Sequence, residues 1–314
     1  MWWSNPRIRA LYLYNVSATR TGRPLRRLVI VFTVLILALS LSASIAGVLS
    51  YWHDMSRTIT TVRGEIVEFQ DAGVYRHSPH AFVTAGIPWD FARLLIGIPV
   101  LLASFVLYLR KSMRGTVVFI GSVASFLYQY LLWTFGWAFN GFFLIYVAVF
   151  SLSLCTLALV LAEVDLRQVR EGISDHFPVV TAATFSFAMG AGLLFKCLAE
   201  IAPTIGSGAM PPVGKGFYTM VDQGLDLGLL VPLCVLVGVL LLKRETLGYF
   251  LTPAALMLGM TVGLSVVAGE LMLGFSTGRM NAGGIAVFTV FLGAALVLLV
   301  KALVNMRQPS LRAR

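Results

Sequence analysis

The sequence predicts an all-α integral membrane protein with eight transmembrane helices. Of the 314 residues, 58% are hydrophobic and only 12% are charged, and the mean hydropathy is +0.85. A soluble domain carries roughly 25% charged residues, so water cannot be the solvent for most of this surface. The composition excludes a soluble globular domain, a disordered chain and a secreted disulfide scaffold.

Apolar runs long enough to cross a bilayer, about 20 residues each, occur eight times along the chain. Such runs are typical of helices, because barrel strands would be about half as long and would alternate in polarity. The predicted spans cover residues 28–51, 94–109, 116–135, 142–161, 179–198, 227–242, 247–271 and 283–303. They form one membrane domain, residues 28–303, between a basic N-terminal segment, residues 1–27, and a basic tail, residues 304–314.

The first apolar run has an alternative interpretation, because a signal peptide also combines a basic start with an apolar stretch and small residues. The long basic region before the run, and its continuation to Trp52, favour an uncleaved helix. The next segment, residues 52–93, is the single long predicted loop. Its stretch 58–67 is rich in β-branched residues and the turn signal 71–73 follows, so we expect a small hairpin on the outer face.

The distribution of basic residues predicts the orientation. With the N-terminus inside, most of the 24 Lys and Arg residues fall on the cytoplasmic side, as the positive-inside rule requires. We therefore expect a bacterial cytoplasmic membrane protein with both termini inside, whose basic face contacts anionic lipid headgroups. The net charge of +10 then needs no nucleic-acid partner.

Two segments match at an offset of 133 residues. Residues 99–115 and 232–248 each contain a Pro, ten mostly apolar residues, two basic residues, three further residues and a Gly. Each Pro lies early in its span, where it would kink the helix. The match favours a parallel repeat of helices 1–4 and 5–8, an arrangement known in transporters, although apolar segments also align by chance.

Polar residues gather at the predicted outer ends of the spans, where ionisable side chains indicate function. Two pairs share a helix face by their spacing: Asp90 with Arg93 at the start of helix 2, and Asp222 with Asp226 at the start of helix 6. Tyr128, Gln129, Lys196 and Glu200 lie at the same level. The predicted binding site for a small solute or lipid comprises Asp90, Arg93, Tyr130, Asn140, Tyr146, Asp222, Asp226 and Glu270.

No cofactor is predicted. The three cysteines, Cys155, Cys197 and Cys234, lie in apolar runs without the short spacing of metal sites. The four histidines lie outside the spans or at their ends, so no paired haem ligands occur. We expect neither a metal nor a haem.

Residues 139–154 (FNGFFLIYVAVFSLSL) and the stretch from Leu225 to Met257 (LDLGLLVPLCVLVGVLLLKRETLGYFLTPAALM) resemble a widespread group of uncharacterised bacterial multi-pass membrane proteins. The resemblance covers approximately helices 2–8. It implies the helical fold and an intact element from Asp226 to Pro232. It implies no activity, substrate or catalytic residue.

Transport or binding of a small solute at an outward-facing polar pocket is the function that these observations favour. A membrane enzyme acting on a lipid or lipid-linked substrate at the outer leaflet is an alternative, and a non-catalytic partner subunit is another. Stripes of small residues such as Ala255, Gly259 and Gly263 favour close helix packing, and they would also serve contacts in a homo-oligomer. Asp226 is expected to face the bundle interior and to pair with Arg93 or Lys196.

The orientation can be tested with reporter fusions. Fusions after residues 110–115 and 243–248 should report a cytoplasmic location, and a fusion at His77 should report an external one, because basic loops stay inside. An external Arg110 would invert the topology and place the polar residues on the cytoplasmic side.

Overall fold

The computed structural model describes residues 22–50, 55–278 and 280–307, and it confirms the all-α membrane fold with eight helices long and apolar enough to span a bilayer. The helices are α1 (Gly22–Leu49), α2 (His80–Leu109), α3 (Met113–Gly136), α4 (Phe143–Glu163), α5 (Val179–Ile201), α6 (Val221–Leu242), α7 (Thr246–Thr277) and α8 (Ala282–Val304). Most of the predicted N-terminal segment and of the C-terminal tail lies outside the described residues.

The expected hairpin is present between α1 and α2. Strands β1 (Ser56–Thr60) and β2 (Ile66–Gln70) pair antiparallel, with Thr58 opposite Glu68. The strands reverse at Gly64, which has the positive φ of 78° that glycine adopts without strain. We call the end of the bundle that carries this hairpin the hairpin end, and the opposite end the basic end.

Helices α2 and α6 begin earlier than the apolar runs indicate. Helix α2 starts at His80 and not at residue 94, and α6 starts at Val221 and not at residue 227. Arg93 therefore lies inside a helix and not at its start. The helix can contain this charge because polar groups of another helix, α3, accept hydrogen bonds from it. An apolar run marks only the part of a helix whose neighbours are apolar, so it ends where buried polar contacts begin.

Both helices contain a π-helical turn directly before their proline. The turn covers Arg93–Gly97 in α2 and Asp226–Leu230 in α6. Pro99 and Pro232 have no N–H to continue the regular hydrogen-bond ladder, and such widened turns commonly accompany functional sites in helices. Each π turn thus begins at a charged residue of the predicted site.

The two π turns are separated by 133 residues, and so are the features that follow them. Lys111 and Arg244 both have positive φ, 59° and 55°, which ends each helix in a left-handed cap. The next helices begin at Met113 and Thr246. This local agreement in backbone conformation supports the interpretation of residues 99–115 and 232–248 as a repeat.

Helix α3 lies at the centre of the bundle. Its span is 72% buried, whereas the other spans are 22–44% buried. It packs against α2 and α4 of its own half and against α6 and α7 of the other half. A short helix, Leu166–Gly172, joins the two halves at the basic end, capped by the Asp165 side chain.

Alanine substitution at the paired glycines tests the close backbone approach that the two matched segments share. A Cβ at Gly115 would overlap Leu107, and one at Gly248 would lie 2.7 Å from the carbonyl carbon of Leu240. We expect Gly115→Ala and Gly248→Ala each to lower the free energy of unfolding by about 1–3 kcal/mol relative to Gly293→Ala. No atom lies within 4 Å of a Cβ at Gly293. Equal stability of the three variants in detergent unfolding would contradict the close approach.

Candidate functional site

Four of the eight predicted site residues belong to two polar clusters around the hairpin-end half of α3. The Arg93 cluster consists of Tyr75, Asp90, Arg93, Ser125 and Gln129. The Asp226 cluster consists of Tyr128, Lys196, Glu200, Asp222, Gln223 and Asp226. They adjoin at Tyr128 and Gln129, consecutive residues of α3 that point to different sides.

The Arg93 guanidinium is buried, with 1% of the residue exposed. Its Nε donates to Gln129 Oε1 at 2.7 Å, and its Nη1 and Nη2 donate to the hydroxyl and carbonyl oxygens of Ser125, both at 3.0 Å. The guanidinium carbon lies 4.0 Å from the centre of the Phe126 ring, a cation–π geometry. Helix α3 thus supplies both the acceptors and the aromatic face that stabilise this charge.

The Asp90 carboxylate is equally buried and accepts a hydrogen bond from the Tyr75 hydroxyl. Trp133 Nε1 donates to the same hydroxyl oxygen at 3.1 Å. Burial and the nearby Asp90 carboxylate raise the pKa of Tyr75 well above its usual value, so the phenol keeps its proton and remains a donor. Gly47 of α1 closes the site, because a Cβ there would overlap the carboxylate.

Two of the predicted tyrosines lie beside the Arg93 cluster. Tyr130 and Tyr146 are almost fully buried, with ring centres 6.0 Å apart. The Tyr130 hydroxyl donates to the Ser40 carbonyl at 3.4 Å, while the Tyr146 hydroxyl has no hydrogen-bond partner among the described residues. These rings fill the space between α1, α3 and α4 at the level of Asp90.

Asn140 and Glu270 are not drawn into either cluster. The Asn140 side chain accepts from the Phe142 amide at 2.9 Å and donates to the Ala138 carbonyl at 3.1 Å, so it stabilises the turn between α3 and α4. Glu270 is half-buried on α7, and no described hydrogen bond or ion pair links it to the cluster residues. We therefore assign Asn140 a turn-forming role.

Asp226 faces the bundle interior, with 6% of the residue exposed. Tyr128 of α3 donates to Asp226 Oδ1 at 2.6 Å, and Lys196 Nζ of α5 lies 3.8 Å from Oδ2. The cationic partner is thus Lys196, one of the two candidates from the sequence. Arg93 is held on the other side of α3 by Gln129 and Ser125.

The Asp226 cluster extends towards the hairpin end through Gln223 and Asp222. Gln223 Nε2 donates to Glu200 Oε2 at 2.9 Å. Gln223 Oε1 is buried and accepts no hydrogen bond from the described residues. Asp222 is half-buried and lines a small cavity of about 20 Å³, which is large enough for one water molecule.

Besides adjoining at α3, the two clusters are linked through the ring of Trp89. The Trp89 ring centre lies 6.2 Å from that of Tyr128 and 5.8 Å from that of Trp133. Tyr128 belongs to the Asp226 cluster, and Trp133 donates to Tyr75 of the Arg93 cluster. A movement of the Trp89 ring would therefore change the packing of Tyr128 in one cluster and of Trp133 beside the other.

Sequence reasoning missed Tyr75, Ser125 and Gln223 as site residues. Gln223 is three residues from Asp226 on the same helix, a spacing that would have identified it. Tyr75 lies in the loop before α2 and reaches Asp90 only through the tertiary fold. Nothing in the local sequence distinguishes Ser125 from the other small residues of α3.

Comparisons with protein families, curated proteins and solved structures find no match to this chain. Among the described residues, no group of three or more His, Cys, Asp and Glu side chains is arranged to hold a metal ion. The conclusions about function therefore rest on the geometry of the two clusters.

Replacing Gln129 tests how the Arg93 charge is stabilised. Gln129→Leu would leave Nε of Arg93 without its acceptor, and we expect a loss of about 1.5–3 kcal/mol in the free energy of unfolding, typical of a hydrogen bond to a charged group. Gln168→Leu, at an exposed glutamine near the basic end, is the matched control and should change little. Equal stability of both variants in detergent would show that α3 does not stabilise Arg93.

Proposed function

We propose that this polytopic membrane protein binds a small organic cation at the Asp226 cluster and acts in its transport. The observation that carries the proposal is the buried Gln223 Oε1, which lacks a donor among the described residues. A buried acceptor without a donor is costly, about 1–3 kcal/mol. A protonated amine would supply the missing donor.

The charges of the cluster favour a cation. Asp222, Asp226 and Glu200 carry three carboxylates, and Lys196 is the one basic member. Lys196 Nζ lies 3.8 Å from Asp226, which leaves two carboxylates in excess near Gln223. In a restricted site of low dielectric such an excess attracts positive charge strongly.

Transport is supported by the π turn in the helix that carries the cluster. The regular α-helical hydrogen bonding gives way to a π turn at Asp226 in α6 and at the corresponding Arg93 in α2. In transporters built from repeats, discontinuous helices form the substrate site, and the halves move against each other around it. Here α3 lies between the two π turns and contacts both halves.

The location is part of the same proposal. Arg110, Lys111, Lys243 and Arg244 are all exposed at the basic end, opposite the hairpin. By the positive-inside rule this end faces the cytoplasm of a bacterial cell and contacts anionic lipid headgroups there. The Asp226 cluster then faces outwards.

Amine binding can be measured on the purified protein in lipid nanodiscs. Ethanolamine, protonated at pH 7, should bind, whereas uncharged ethylene glycol of similar size should not. Asp222→Asn should weaken ethanolamine binding by about tenfold or more, because a lost charge contact of about 1.4 kcal/mol corresponds to that factor. Proteoliposome uptake of labelled ethanolamine then tests transport.

The matched control is Asp175→Asn, an exposed carboxylate near the basic end. It makes the same chemical change outside the cluster and should leave ethanolamine binding at the wild-type value. Equal binding of ethanolamine and ethylene glycol, or an unchanged affinity in Asp222→Asn, would refute the proposed cation site.

A further inference from the structure

An apolar cavity of about 240 Å³ lies between α5, α6, α7 and α8. Apart from Ser186, its wall is made of hydrophobic side chains and glycines, and Lys196 is the one charged residue among those that line it. A cavity of about 150 Å³ can already hold a benzene molecule. The space is therefore large enough for part of an apolar ligand.

The cavity extends along the bundle for about half the thickness of a bilayer. Phe185 and Lys196 both line it from α5, and at 1.5 Å per residue they are about 16 Å apart along the helix. The hydrocarbon core of a bilayer is about 30 Å thick. The cavity thus matches the depth of one leaflet, and its charged end points towards the hairpin end.

The cavity opens sideways to the surface of the bundle between α5 and α8. These helices line its two sides but make few contacts with each other. Gly192 of α5 and Val287 of α8 both line the cavity and are exposed. At its deeper end the Phe185 and Phe291 rings approach to 5.7 Å between centres. In a membrane, the molecules in front of such an opening are lipid acyl chains.

A lipid's headgroup must provide the specificity, because moving an acyl chain from the bilayer into an apolar cavity gains little hydrophobic free energy. Lys196 lies where the headgroup would be, with 41% of its side chain exposed and its Nζ 3.8 Å from Asp226. Beyond it lie Glu200, Asp222 and the Gln223 oxygen that accepts no hydrogen bond from the described residues. A purely anionic headgroup would be repelled by these carboxylates.

We propose that the cavity binds one acyl chain of an amine-bearing zwitterionic phospholipid from the hairpin-side leaflet, with its phosphate at Lys196 and its amine at the Asp226 cluster. This inference rests on the proposed function, since it assigns the same cation site to the amine of a lipid. The ligand class is then an aminophospholipid, and Lys196 is the residue that joins the headgroup site to the chain site.

The test uses the full-length protein reconstituted with equal amounts of phosphatidylethanolamine and phosphatidylglycerol, then analysed by native mass spectrometry. We expect the wild type to retain phosphatidylethanolamine in preference to phosphatidylglycerol. Gly192→Phe should lose the bound lipid, because a Cβ at Gly192 has no atom within 4 Å and a ring there would occupy the cavity opening.

Gly293→Phe is the matched control. Gly293 is also a helical glycine with no atom within 4 Å of an added Cβ, but it is exposed and does not line the cavity. This variant should retain the lipid. Thermal melting of both variants confirms that they are folded, and Gly192→Phe should still bind free ethanolamine, since its polar cluster is intact.

Two results would overturn the lipid assignment: retention of phosphatidylethanolamine by folded Gly192→Phe, or equal retention of both lipids by the wild type. The second result would show an acyl-chain site without headgroup recognition. Failure of free ethanolamine to bind the wild type is a separate result, and it overturns the proposed function.

Discussion

The arrangement of this bundle depends on the need to satisfy charged residues inside membrane-spanning helices. Arg93 and Asp226 both lie within spans and both are almost fully buried. In hydrocarbon an unpaired charge is expensive, so each must find partners within the protein. Helix α3 provides them, with Gln129 and Ser125 for Arg93 and Tyr128 for Asp226. This explains why α3 is the most buried helix.

The two halves share a π turn before a proline, and they differ in the charge of the residue that begins the turn. The same π turn and proline occur 133 residues apart, yet the turn begins with a cation in one half and with a carboxylate in the other. The Arg93 side is sealed by Gly47, Tyr75 and neighbouring aromatic rings. The Asp226 side retains a half-exposed Lys196 and a cavity. The proposed binding site is therefore assigned to the second half.

Helix packing explains the large cavity in the second half. In the first half α1 and α4 pack closely together, whereas α5 and α8, their counterparts in the proposed repeat, make few contacts. The separation leaves the space that Gly192, Gly259 and Gly263 line. Small residues that would permit close helix contact thus face a space large enough for part of a lipid chain. The same stripe on α7 also packs against neighbouring helices, since an added Cβ at Gly259 would lie 3.2 Å from Met189 of α5 and one at Gly263 3.3 Å from Leu292 of α8.

The sequence by itself determined the eight spans, the hairpin and the 133-residue match, because apolar length, turn residues and proline position act locally. It also identified Asp226 as an inward-facing residue with a basic partner. Only the tertiary structure decided that Lys196 is that partner, that Tyr75 reaches Asp90, and that α2 begins at His80. Each of these depends on contacts between residues that are distant in the chain. A polar residue can be recognised as buried only when the position of the helix that supplies its hydrogen-bond partners is known.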